Sequence, residues 1–155
     1  MTDRFAFFMP FLRRGKGARL LLRDEEILES VLSEFEKLAA IPRPSGEERA
    51  VSDYLRGAFS QLGCTVAQDE AYNVIADLAA TPGYEGAPRT ILQGHMDMVC
   101  VADEGIVYDP KCDPIRLVRT EAYLSADGTS LGADDGAGVA EILHLFRHVP
   151  EPHGP

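Results

Sequence analysis

The sequence predicts an α/β fold, and three observations lead to that prediction. Residues 24–40 and 136–146 carry apolar side chains at helical spacing. Between them lie five short β-type runs, some of them separated by glycine- and proline-rich turns. The chain has 155 residues and 45% of them are hydrophobic, so its length suits one domain with a real core. Helices that flank a cluster of strands are typical of layered α/β domains.

The first helix is predicted over residues 24–40. Ile27, Val31 and Phe35 belong to its apolar face. Its acidic start, DEE, is stabilised by the positive N-terminal end of the helix dipole. Pro42 and Pro44 then end the helix and force an extended turn.

A second helix is predicted after this turn. Ser45 and Glu48 have the spacing of a capping box, and the helix extends to about Leu62, where Gly63 stops it. The predicted strands lie in the segments CTVAQDE, NVIADLA, TILQG, IRLVR and AYLSA. The last segment, GAGVAEILHLF, is predicted to be helical, with its apolar residues on one side.

The charge is distributed unevenly and divides the chain into two parts. Residues 1–23 carry a net charge of +5, whereas the whole chain carries −10. Residues 1–24 are therefore predicted to be a basic leader of unknown role, disordered or foreign to the natural protein, and residues 25–155 the domain. The apolar stretch FAFFMPFL precedes RRGK, which is the reverse of a signal peptide. A weak membrane-surface or targeting arm is the alternative.

Composition excludes several classes of protein. A pI of about 4.8 argues against nucleic acid as a partner, because phosphates repel an acidic surface. No stretch reaches the roughly 20 apolar residues of a membrane helix. The three cysteines lack CxxC spacing, which suits reduced thiols and a cytoplasmic location. Cys100 could be a metal ligand, but a small buried residue is the favoured interpretation.

Two polar stretches at predicted strand–helix junctions are the candidate site. His95 and Asp97 follow the segment TILQG, and Asp134 and Asp135 begin the last helix within LGADDGAG. In one interpretation the acids only cap the helix and His95 is a polar strand-end residue. In the other, His95 and an aspartate bind a divalent cation such as zinc, which accepts imidazole nitrogen and carboxylate oxygen. Asp97 then fixes the His95 tautomer, since one spacer residue puts both side chains on the same side of an extended segment.

Other candidates are weaker. His144 and His148 are four residues apart but lack the HExxH pattern, so a solvated helix face is predicted for them. His153 is predicted to lie in a disordered tail. The serines lack a GxSxG setting, and GADDGAG lacks the lysine of a phosphate loop.

These stretches resemble a known family. ILQGHMDMV, the Asp-Pro pairs at 109–110 and 113–114, and GTSLGADDGAGVA are similar to the zinc dipeptidases of the aminoacylase and carboxypeptidase superfamily. Within it they resemble most the Xaa-His dipeptidases, also called aminoacyl-histidine or cytosol non-specific dipeptidases. FEKLAAIPRPSGEE and DEAYNVIA extend the resemblance upstream, so that it covers about residues 25–155.

The resemblance implies the N-terminal part of a three-layer α/β/α zinc-peptidase catalytic domain, incomplete at its C-terminus. His95 would bind one zinc ion, Asp134 would bridge two, and Asp97 would act in catalysis by orienting His95. Cobalt or manganese could replace zinc. The bond between Asp134 and Asp135 would be a cis peptide. The activity implied is hydrolysis of Xaa-His and other dipeptides by a metal-activated water.

The family pattern continues past Pro155. A Glu-Glu pair that supplies the general base and a ligand, two later ligands, and a lid domain used for homodimer formation are all expected there. The isolated chain is therefore expected to be inactive. The alternatives are a catalytically dead truncated relative or binding module, and an aminoacylase or tripeptidase of the same superfamily.

Overall fold

The computed structural model describes residues 24–155. The predicted basic leader lies outside these residues, apart from Asp24, which is the first residue of helix α1. Within the part of the chain that the structure describes, no helix is long and apolar enough to cross a membrane.

Three helices form in the segments where the sequence predicts them, the first and third from apolar periodicity. They are α1 (Asp24–Ala39), α2 (Arg49–Gln61) and α3 (Ala133–Arg147). α1 packs against α3, and α2 contacts α3 and the first pair of strands. Gly63 follows the end of α2 with a positive φ of 85°, the conformation that favours glycine after a helix. The core is formed by apolar side chains from all three helices and from the segments that join them, including Val31, Phe35, Val51, Leu55, Met98, Ile115 and Leu143.

Two antiparallel hairpins supply the strands. β1 (Thr65–Gln68) pairs with β2 (Val74–Asp77), and β3 (Leu117–Arg119) pairs with β4 (Leu124–Ala126). The Asp69 carboxylate accepts hydrogen bonds from the backbone N–H groups of Ala71 and Asn73, which holds the tight turn of the first hairpin. Four of the five predicted strand segments are therefore found, and the chain has the predicted α/β composition.

The fifth predicted strand, TILQG, is not a strand in this structure. Among residues 24–155 no strand pairs with it, and Ile91 and Leu92 are 81% and 45% exposed. The prediction of a strand is wrong here because a strand needs a neighbouring strand with which to form backbone hydrogen bonds. The apolar side chains of TILQG do not by themselves provide such a partner.

The predicted capping box is also wrong. Glu48 is itself the N-cap of α2, and no side chain caps that end of the helix. Ser45 lies three residues too early to reach the first turn. Its hydroxyl instead donates a hydrogen bond to Oδ2 of Asp97, at 2.5 Å.

Two histidines are placed differently from expectation. His144 is buried on α3 with its Nδ1 2.8 Å from the Ser30 hydroxyl of α1, so the prediction of a solvated face fails for it and holds only for the exposed His148. A polar ring is accepted in the core because a hydroxyl satisfies it. His153 is tied to Thr81 by two hydrogen bonds of 3.0 and 3.1 Å, which contradicts a disordered tail.

Candidate metal site

The turn between α1 and α2 runs beside the segment that carries His95 and Asp97. The backbone N–H of Met98 donates to the carbonyl of Arg43 at 3.0 Å, and Pro44 and Met98 form a parallel β-bridge. Met98 is 3% exposed, so this contact is anchored in the core. The residues before Met98 are thereby held at the surface next to the start of α3.

His95 lies between two carboxylates. Its Nε2 is 3.0 Å from Oδ1 of Asp134, and its Nδ1 is 3.2 Å from both Oδ1 and the backbone carbonyl of Asp97. The Asp97 oxygens are acceptors, so Nδ1 carries a proton and donates it. Oδ1 of Asp134 is also an acceptor, so the protonated ring donates from Nε2 as well, and Nε2 presents a lone pair only when it loses its proton while Nδ1 keeps its own.

The charges around His95 favour its protonated form. Burial acts to lower the pKa of His95, but hydrogen bonds to Asp134 and Asp97 and their negative charges outweigh it, so the pKa is raised. The hydrogen bond from Ser45 is the largest cause that lowers the pKa of Asp97, and the neighbouring His95 adds to it. A cation that binds Nε2 would therefore replace a proton at a position already suited to positive charge.

The first residues of α3 present one aspartate to solvent and bury part of the next. Asp134 and Asp135 are joined by a cis peptide bond, as the family resemblance implies, and both have non-helical backbone angles. The Asp134 side chain is 97% exposed. The Asp135 carboxylate packs against two glycines: a Cβ at Gly94 would lie 2.6 Å from its Oδ2, and one at Gly138 would also collide with it.

The donor atoms fit part of a metal site. An imidazole nitrogen and a carboxylate oxygen converge, and this donor pair is one that zinc accepts. Within residues 24–155, no group of three His, Cys, Asp or Glu side chains is placed to hold a metal ion. Cys100 accordingly does not complete the site, and its half-buried thiol donates to the carbonyl of Met98 at 3.7 Å. The structure brings His95, Asp97 and Asp134 together, and their roles stay predictions.

Sequence reasoning missed two residues of this site. Ser45 was assigned to a helix cap, and Arg43 was not singled out, although its side chain bonds to the backbone on both sides of the site. The sequence shows only that an arginine and a serine flank Pro44. This pattern does not predict which distant segment their side chains contact.

Known proteins resemble this chain over most of its length. The cytosol non-specific dipeptidase of Escherichia coli is 35% identical over 121 residues, which are 78% of this chain and 25% of that protein. The crystal structure of the aminoacylhistidine dipeptidase from Vibrio alginolyticus superposes with a TM-score of 0.74 and 34% identity, covering 81% of this chain and 26% of that one.

Most of this chain is homologous to part of these dipeptidases. A tripeptidase structure from Staphylococcus aureus also matches, with a TM-score of 0.66, 27% identity, and coverage of 81% of this chain and 34% of that chain. These structures confirm the predicted α/β peptidase fold class. No family model matches the chain. The chain spans about a quarter of the length of the dipeptidases it matches.

Proposed function

We propose that residues 25–155 form the N-terminal part of the catalytic domain of a cytoplasmic metal-dependent dipeptidase that hydrolyses Xaa-His and other dipeptides. The observation that carries the proposal is the convergence of His95 Nε2 and Asp134 Oδ1 at 3.0 Å, with Asp97 on the other ring nitrogen. The homology to two dipeptidases supports it.

In this proposal His95 and Asp134 hold zinc, two ions in the complete site, and cobalt or manganese can take its place. A bound metal ion would polarise the peptide carbonyl and lower the pKa of a water molecule bound to it. Asp97 keeps the proton on Nδ1 of His95, so that Nε2 presents its lone pair. Ser45 holds Asp97 in place through its hydroxyl. The proposal assigns no further ligand, no general base and no lid for homodimer formation to residues 25–155.

The first experiment concerns the natural product. An immunoblot of the source cells with an antibody to residues 25–90 measures its size. A band well above 16.9 kDa supports a complete enzyme, and a band at 16.9 kDa favours a catalytically dead relative or binding module.

The second experiment tests the site itself. The natural product is assayed for zinc-dependent hydrolysis of Xaa-His dipeptides, together with His95→Ala and the matched control His148→Ala. His148 is an exposed histidine outside the site. We expect His95→Ala to abolish hydrolysis and His148→Ala to preserve it. Unchanged hydrolysis by His95→Ala would refute the proposal.

A tripeptidase is the second candidate, because the Staphylococcus aureus tripeptidase shares the fold at 27% identity. An aminoacylase remains the other alternative within the superfamily. A panel of dipeptides, tripeptides and N-acyl amino acids separates the three activities by their relative kcat/KM.

A further inference from the structure

Arg43 is a buried cation next to the candidate site. Only 2% of the residue is exposed, and in the described part of the chain it makes no ion pair. A buried charge is costly unless it is paired or fully hydrogen bonded. Its Nε has no hydrogen-bond partner within residues 24–155, so the cost of burying this cation is only partly offset by its hydrogen bonds.

The two ends of the guanidinium bond to the two segments that carry the candidate ligands. Nη1 donates to the carbonyl of Met96 at 3.0 Å, and Nη2 donates to the carbonyl of Gly132 at 2.7 Å. Met96 lies between His95 and Asp97, and Gly132 lies two residues before Asp134. One planar, rigid group therefore spans the gap between the segments.

The glycines at the start of α3 make room for this group. A Cβ at Gly132 would lie 2.7 Å from Nη2 of Arg43, and one at Gly136 would lie 2.6 Å from the same atom. The backbone of Arg43 is itself fixed, because its carbonyl accepts the hydrogen bond from Met98. The guanidinium is thus held at its base and enclosed at its tip.

We propose that Arg43 is a positioning residue that sets the separation between the His95 and Asp134 segments. The inference rests on the proposed function of those two side chains as ligands. A lysine cannot replace it fully, since the two carbonyls are reached by two different nitrogens of one fork.

The test uses the ¹⁵N- and ¹³C-labelled 155-residue chain in solution and zinc chloride as the probe. NMR measures the nuclear Overhauser contact between the His95 ring and the Asp134 Hβ protons, and the zinc affinity reported by the His95 ring. We expect Arg43→Met to weaken the contact and to lower zinc affinity about tenfold, as loss of an outer partner of a ligand does. Arg49→Met is the matched control, because the Arg49 side chain is 77% exposed and its Nε lies 3.9 Å from Oδ2 of Asp53 within α2.

Arg43→Lys keeps the charge and the apolar stem, and it decides the matter if Arg43→Met does not fold. We expect this variant to lose the contact in part and to bind zinc several-fold more weakly than the wild type. A variant that folds and keeps both the His95–Asp134 contact and the zinc affinity of the wild type overturns the inference.

The two proposals fail in different ways. If the wild type shows no zinc-dependent shift at His95, two ligands alone do not bind zinc in the isolated chain, and the proton contact still tests whether Arg43 sets the separation. If the wild type binds zinc, His95→Ala abolishes binding and the Arg43 variants bind normally, the metal role stands and the positioning role is refuted.

Discussion

The buried carboxylate of Glu34 links α1 to α3 and gives a quantitative prediction. Its side chain is 4% exposed, and its Oε1 accepts from Lys37 and from Arg147, both at 2.8 Å. Lys37 belongs to α1 itself, so Arg147 makes the link between the helices. Replacing Arg147 by leucine keeps the apolar stem and leaves Glu34 with a single cation.

The size of the effect follows from burial. Removing one partner of a fully buried ion pair destabilises a protein by about 3–5 kcal/mol. Arg147 is 31% exposed and Lys37 still neutralises the carboxylate, so we expect roughly half of that, about 2 kcal/mol.

Urea unfolding, followed by circular dichroism at low micromolar concentration, measures the free energy of unfolding. Arg56→Leu is the control. Its pair with Asp53 spans 3.5 Å between half-exposed side chains, so its loss should change stability by less than about 0.5 kcal/mol. Equal effects of the two substitutions would refute the argument that burial gives the Glu34 pair its strength.

Three further predictions concern single features. The hydrogen bond from Ser45 is the largest cause that lowers the pKa of Asp97, so this pKa should rise in Ser45→Ala and stay low in Ser45→Thr. A ¹³C NMR titration of the Asp97 carboxyl group measures the pKa in both variants. An unchanged pKa in Ser45→Ala contradicts this role of Ser45. Burial lowers the pKa of His144, the charge of His148 lowers it further, and Glu34 opposes both. As the pH drops through about 6.5, His144 is therefore protonated in the unfolded chain before it is protonated in the folded chain, and the free energy of unfolding falls. Urea unfolding at several pH values should give a smaller decrease for His144→Gln than for the wild type, and equal decreases refute the prediction. Apolar side chains exposed between residues 91 and 107, among them Val99 (76%) and Val107 (99%), should bind an apolar dye and promote self-association. Val99→Lys with Val107→Lys should reduce both in fluorescence and sedimentation experiments, and a wild type that binds no dye contradicts this.

Local patterns predicted the three helices and four strand segments, because those elements depend on residues close together in the chain, whereas the pairing of the strands into two hairpins was not predicted. The spacing of Val31, Phe35 and Leu38 gave the buried face of α1, and Gly63 marked the end of α2. His95 and Asp97 were expected to meet because they are two residues apart on an extended segment, and the structure places them 3.2 Å apart.

The features that failed depend on distant partners. Ser45 bonds to a carboxylate 52 positions away, and His144 bonds to a hydroxyl 114 positions away, which no local pattern records. TILQG has the composition of a strand, but a strand also needs a neighbour. The meeting of His95 with an aspartate of the Asp134–Asp135 pair was expected from their places at two predicted strand–helix junctions, and the family resemblance then selected Asp134, 39 positions away.

The packing of Asp135 against two glycines has a consequence for engineering. A saturation library that replaces Gly94 or Gly138 adds a Cβ where the carboxylate already lies, so variants at these two codons should be depleted in a screen for folded chains. A compensating Asp135→Ala change removes the obstructing oxygens and should recover the fold of Gly94→Ala. Libraries of this chain should therefore keep these two glycines fixed and vary exposed positions instead.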